Sequence, residues 1–136
     1  MSGLYKMITA LMFISAVFTW EMGKFPQHSA APVPVLSAQA ERHILYGNKH
    51  GGGGHLSGQN KSCKSEFPAN WDAKKIISTV KAQAANDNNW KKADNGYQTS
   101  ERTVDGVRIR IVLDGKSNEI VTAYPVNVRR NSCLNE

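Results

Sequence analysis

The last third of the chain alternates, and that alternation limits its fold more than any other feature. Between Asp105-Gly106 and Asp114-Gly115, the residues Val107, Ile109, Ile111 and Leu113 recur at every second position, opposite Arg108 and Arg110. A period of two belongs to a strand with one buried face. Asp-Gly is a favoured hairpin dipeptide because both residues tolerate positive φ. Residues 97–104, 107–113 and 119–125 are therefore expected to form three antiparallel strands, the second joined to the third by a longer turn at Asp114-Gly115. In the last strand the same period puts Thr122 and Tyr124 on one face, and Val121 and Ala123 on the other. Upstream, Asp72 is placed to cap a helix whose Ala73, Ile76, Ile77, Val80 and Ala84 share one face, with Lys74, Lys75 and Lys81 on the wet side. Asn86-Asp87-Asn88-Asn89 ends it. A helix segregated from an antiparallel meander defines an α+β class.

The 136 residues leave room for one ordinary domain and a tail, and 40% apolar content is enough for one core. The first forty residues read differently from the rest. Residues 7–20, MITALMFISAVFTW, form an apolar run shorter than the ~20 residues of a membrane span, closer to a signal-peptide h-region. Ala38-Gln39-Ala40 has the small-x-small form of a cleavage site, but seventeen residues with Glu21, Lys24 and three prolines separate it from that run. The alternative is an apolar segment that docks on or helps deliver the domain, with transient membrane contact through residues 7–20. Pro26 to Pro34, with His28 inside it, reads as an extended linker. The expected organisation is a leader and linker over 1–40 and a domain over 41–136. The formal charge of +6 suits a polyanionic partner. Cys63 and Cys133 are either a bridge or two thiols.

Between Arg42 and Pro68 the chain concentrates three of its four histidines, four consecutive glycines and Cys63. Gly51 to Gly54 lose too much backbone entropy to sit in a helix or strand, and a tight loop with amides turned to a ligand is the expected use. His55, beside that run, is expected to lie outside the core. No GK[ST] follows the glycines, no G-x-G-x-x-G opens a helix, and no G-x-S-x-G elbow occurs. His43, His50, His55 and Cys63 match no structural zinc spacing. RNA cleavage by acid and base needs fewer parts: one imidazole to take the 2′-OH proton, another to protonate the departing 5′-oxygen, and a cation for the transition state. The competing readings are a non-catalytic secreted module that binds an acidic partner through its basic surface, and a metal-dependent hydrolase built on the histidines.

RHILYG, GGGGHLSG, KSEFP with Trp71, DGVRIRIVLDG and IVTAYP, in that order, resemble the bacterial EndoU-like ribonuclease domains found as C-terminal toxin modules of contact-dependent inhibition and other polymorphic toxin systems. The resemblance covers about residues 41–130. It implies an α+β fold of the superfamily that includes barnase-like toxins. It also implies an endoribonuclease that leaves a 2′,3′-cyclic phosphate, with tRNA anticodon loops a common target of this toxin class. By the same resemblance His55 is the general base and His43 the general acid, with His50 a competitor for the latter. Lys64 is the third catalytic group, with Lys61 close behind it and otherwise a substrate contact. Thr122 and Tyr124 are the base- and sugar-binding pair. No metal is required by that chemistry, although some EndoU relatives respond to manganese. A cognate immunity protein, and secretion or delivery into a target-cell cytoplasm, are implied too.

Overall fold

The computed structural model describes residues 30–134 of the chain. Residues 7–20, and with them the expected leader and its membrane contact, lie outside the described residues. Among those described, two helices, α1 (Ala38–Tyr46) and α2 (Ala73–Asn86), precede four strands: β1 (Lys91–Lys92), β2 (Tyr97–Val104), β3 (Val107–Asp114) and β4 (Glu119–Pro125). The strands form one antiparallel sheet in the order β1-β2-β3-β4. This is the expected α+β arrangement. No described helix is long and apolar enough to cross a membrane.

The alternation in β3 does what its period requires: Val107, Ile109, Ile111 and Leu113 are buried. They meet Ile76 and Val80 of α2, Ile44 of α1, and the stacked pair Phe67 and Trp71, whose ring centroids are 5.7 Å apart. Burying each such aliphatic side chain contributes about 1.5–3 kcal/mol. Asp72 caps α2, its carboxylate accepting the Lys75 N–H at 2.7 Å. Lys75 then lies 4.5 Å above the Trp71 ring, a cation over a π face. At the β2–β3 turn Asp105 and Gly106 both have positive φ, 48° and 79°, the conformation of a type I′ hairpin turn.

Besides the two-residue β1, a fourth strand that no alternation marked, two features depart from the strand and helix expectations. In β4, Leu113 pairs with Ile120 and Val112 with Thr122, so Val121 is an extra residue, a bulge. Val121 is therefore exposed rather than sharing the inner face with Ala123; Ile120 and Ala123 point inward, three positions apart. Thr122 and Tyr124 keep their common outer face. The second departure is α1, a helix across the segment that includes Ala38-Gln39-Ala40. Ser37 caps it through the Ala40 N–H at 3.1 Å, and Ala40 is buried. The chain joins the fold before Glu41: Val35 donates to Asn118 O at 2.9 Å and accepts from Ile120 N at 2.8 Å, a parallel bridge beside β4.

Candidate active site

A helix of nine residues ends with carbonyls that have no partner within it. At the end of α1 the glycine run supplies the partners. Gly47 (φ 77°) turns the chain and donates to His43 O, and Gly54 returns to donate to the same oxygen at 3.0 Å. His55 N then bonds Ile44 O at 2.7 Å, and Leu56 N bonds Leu45 O at 3.1 Å. Gly53 (φ 68°) passes so close to the His43 carbonyl that a Cβ there would overlap it. The amides of Gly51, Gly52 and Gly54 are spent on Asn48 O, Asn48 Oδ1 and His43 O. The run is thus a close-packed cap on α1 rather than a row of amides turned to a ligand.

That wrap brings His43, in the last turn of α1, alongside His55. His55 is 6% exposed, a buried side chain and not the peripheral one its glycine neighbours suggested. Burial is sustained because its Nδ1 meets the Ser65 carbonyl at 2.6 Å and its ring stacks on Tyr124, centroids 5.4 Å apart. A carbonyl only accepts, so Nδ1 carries the proton and Nε2 of the neutral ring is bare. His43 is held in the complementary way. Asn48 Oδ1 accepts from His50 N at 2.9 Å and Gly52 N at 3.0 Å, which fixes the amide and turns its NH2 toward His43 Nδ1 at 3.5 Å. A donor facing Nδ1 favours the tautomer with the proton on Nε2.

Lys64 and Ser65 are positioned by the C-terminal segment, which runs antiparallel beside them. Asn131 N bonds Lys64 O at 2.8 Å, Cys63 N bonds Ser132 O at 3.3 Å, and Ser65 forms a bridge with Arg130. A Cys63–Cys133 disulfide, with Cα atoms 4.4 Å apart, closes this strap. Glu66 anchors its inner side. Burial alone would raise the Glu66 carboxyl, but the Gly58 N–H, the Asn131 amide and the Asn60 N–H together hold it below its ordinary value.

The result is one cavity of about 370 Å³ lined by His43, His55, Lys64, Thr122, Tyr124 and Arg130, with Gly52, Gly53 and Ser65 in its wall. Thr122 Oγ1 is buried there with no hydrogen-bond partner among the described residues. Tyr124 Oη accepts from Arg110 at 3.5 Å. Burial, and then the positive charge of Lys64, push the His43 imidazole below its usual value. His55 is lowered as well, by burial first; its bond to Ser65 and the Glu66 charge pull the other way, while Lys64 and His43 add to the lowering. Five of the six residues expected at the site are thus gathered. Lys61 is not among the lining residues: its alkyl chain lies against Gly54, where a Cβ would come within 2.9 Å. His50 is exposed on the glycine loop and also stands outside the lining.

Arg130 is the lining residue that sequence reasoning missed. No pattern marks it, since it reaches the cavity only because the strap folds back on Ser65. Manganese favours oxygen ligands, whereas this cavity offers imidazole and cationic side chains. Among the described residues no group of three or more His, Cys, Asp or Glu could hold a metal ion. The residues present do not fit a manganese site.

Two differently held imidazoles and a lysine thus face one cavity beside the outer face of an antiparallel sheet. The family model for the bacterial EndoU nuclease matches residues 57–127, more than half of the chain, and the protein belongs to that family. Lys64, Thr122 and Tyr124 fall within the match; His43 and His55 precede it. No curated protein and no solved structure gives a match.

Proposed function

We propose that the protein is an endoribonuclease that cuts by 2′-OH attack and needs no metal for the step. The observation that carries this reading is two histidines facing one cavity, His55 with its Nδ1 on the Ser65 carbonyl and His43 with its Nδ1 against the Asn48 amide. His55, with its Nδ1 proton given to Ser65 O, presents a bare Nε2 as general base. It takes the 2′-OH proton as O2′ forms a bond to phosphorus. His43, in its protonated imidazolium form, gives a proton to O5′ as the P–O5′ bond breaks and returns to the neutral ring, so the products are a 2′,3′-cyclic phosphate and a 5′-hydroxyl. His55 leaves the step protonated and His43 deprotonated, and exchange with water resets them.

Lys64 offsets the charge that builds on the non-bridging oxygens. The unpartnered Thr122 hydroxyl is suited to a hydrogen bond from substrate, and Tyr124 offers a ring edge for a sugar or base. Lys61, held on Gly54, contributes positive field rather than contact. The role as an antibacterial toxin delivered into a target cell, tRNA as the target, and a cognate immunity protein rest on the resemblance to toxin-module relatives. The +6 charge agrees with a polyanionic substrate.

The test is cleavage of total bacterial RNA by the full chain in EDTA, with chemical analysis of the new 3′ ends. Cyclic phosphate ends that vanish in His43→Ala and His55→Ala proteins are the expected result. Intact RNA, or 3′-hydroxyl ends, would overturn it.

A further inference from the structure

A second groove, of about 260 Å³, adjoins the histidine cavity and shares Ser65, Tyr124 and Arg130 with it. Its walls carry Arg108, Arg110 and Arg130 against one carboxylate, Glu101, and its floor is apolar, with Pro125, Val126 and Val128. The three arginines are not equivalent. Arg110 is committed: Glu101 holds it through Nε at 2.6 Å and again through Nη2, and its Nη1 faces the Tyr124 hydroxyl. Arg108 has only a loose ion pair with Glu101, at 3.8 Å, and its guanidinium makes no hydrogen bond among the described residues. Nor does that of Arg130.

The backbone under Arg108 is nevertheless fixed. Its carbonyl accepts Val126 N–H and its own N–H donates to Asn127 Oδ1, both at 2.8 Å. Asn127 in turn bonds Gly106 O at 2.9 Å, tying the hairpin turn to the end of β4. A rigid base, two guanidinium forks without hydrogen-bond partners among the described residues and an apolar floor form a site for a phosphate with its attached sugar or base. A lone phosphate would not need the floor. An acidic peptide would not need a groove continuous with the catalytic cavity.

We propose that this groove is a second nucleotide subsite, which binds a phosphodiester flanking the one being cut and lets Arg108 and Arg130 track the RNA backbone away from the histidines. The inference rests on the ribonuclease reading of the adjacent cavity, which it extends from one phosphate to at least two. Glu101 is the counterweight: it sequesters Arg110 for Tyr124 and draws weakly on Arg108, so the groove's attraction for phosphate is below its maximum.

The experiment measures binding of fluorescently labelled 2′-O-methyl oligonucleotides, which lack the attacking hydroxyl and cannot be cut. The probes are a dinucleotide and the same dinucleotide extended by two nucleotides at either end. For the wild-type chain, extension at one end is expected to tighten binding about tenfold or more. Arg108→Gln should abolish most of that gain and reduce the salt dependence for the extended probe by about 0.7 in the log–log slope, one phosphate contact on a single strand. Glu101→Gln should act in the opposite direction and tighten the extended probe, an outcome that loss of folding cannot produce. Equal affinity of short and extended probes for the wild type, or an extension gain that survives Arg108→Gln, would overturn the subsite. Cleavage is scored separately on the unmodified RNA. A wild-type chain that shows the extension gain but cuts nothing would sink the ribonuclease reading and leave the subsite standing.

Discussion

The two walls of the cleft are built by different means. Thr122 and Tyr124 stand on β4 beyond the Val121 bulge, where each is set opposite a residue of β3, Val112 and Arg110, by a ladder that runs on to Pro125. His43 stands at the end of α1, His55 directly after the glycine cap and Lys64 beside the strap, where one or two particular hydrogen bonds and a disulfide fix the backbone. A ladder distributes its register over many bonds, so a single substitution there changes a side chain and little else. The loop wall has no such redundancy. Damage there should separate activity from the integrity of the sheet, and damage to the sheet wall should cost chemistry at constant stability.

The largest expected effect is on the loop wall. His55→Ala should lower kcat/KM for RNA by about 10²–10⁴, the usual yield of a positioned acid or base. Because it strands the buried Ser65 carbonyl, thermal unfolding should also reveal a loss of about 1–3 kcal/mol. Replacing Cys63 and Cys133 by serine, which opens a 70-residue separation, should cost about 2–5 kcal/mol in denaturant unfolding. Hydrogen exchange would sharpen the comparison, with protection lost around Lys64 and Ser65 but kept in β3. Equal loss in both regions would break it.

Smaller again is the pair Gly53→Ala and Gly51→Ala. Both positions have positive φ, but only at Gly53 would a Cβ meet the His43 carbonyl; at Gly51 it meets nothing. Gly51→Ala should cost about 1–2 kcal/mol from the left-handed conformation alone, and Gly53→Ala clearly more, with activity falling alongside. On the opposite wall, Thr122→Val should leave the melting temperature unchanged or slightly raised, since it removes a buried hydroxyl with no partner. Its kcat/KM should fall about tenfold, the value of one lost hydrogen bond of roughly 1.4 kcal/mol.

The finest comparison is by pH. Both histidines titrate below the ordinary 6.5, and the limbs of a kcat/KM profile report the free enzyme's base and acid. The optimum should therefore lie on the acid side of 6.5. Lys64→Gln removes a positive charge that disfavours both imidazolium forms, so the remaining activity should peak at higher pH. An optimum that stays in place would separate Lys64 from the pair. The same shifts carry a stability sign. A histidine whose folded value is lowered binds fewer protons folded than unfolded, so its contribution is full above 6.5 and is lost as pH falls through the folded value.

The three long strands and α2 were legible because their information is local, whereas the two-residue β1 has no period to read. Val107 to Leu113 declare their inner face by period, Asp105-Gly106 its turn, and Asp72 its helix start, and the structure has all of them. The short α1 carried no comparable pattern, and its first turn holds the Ala38-Gln39-Ala40 sequence. Val121 could not be recognised as a bulge, because an extra residue shows only against its partner strand. The resemblance to EndoU-like domains, and no local pattern, named His43, His55, Lys64, Thr122 and Tyr124. Their meeting, the burial and tautomer of His55, and the arrival of Arg130 depend on where the cap and the strap close. Periodicity and turn chemistry act between near neighbours and so are written in the sequence. A hydrogen bond from His55 to Ser65 O, or a strand laid beside residue 65 by residue 130, joins positions whose backbone groups have no residue signature. Only the tertiary structure could decide them.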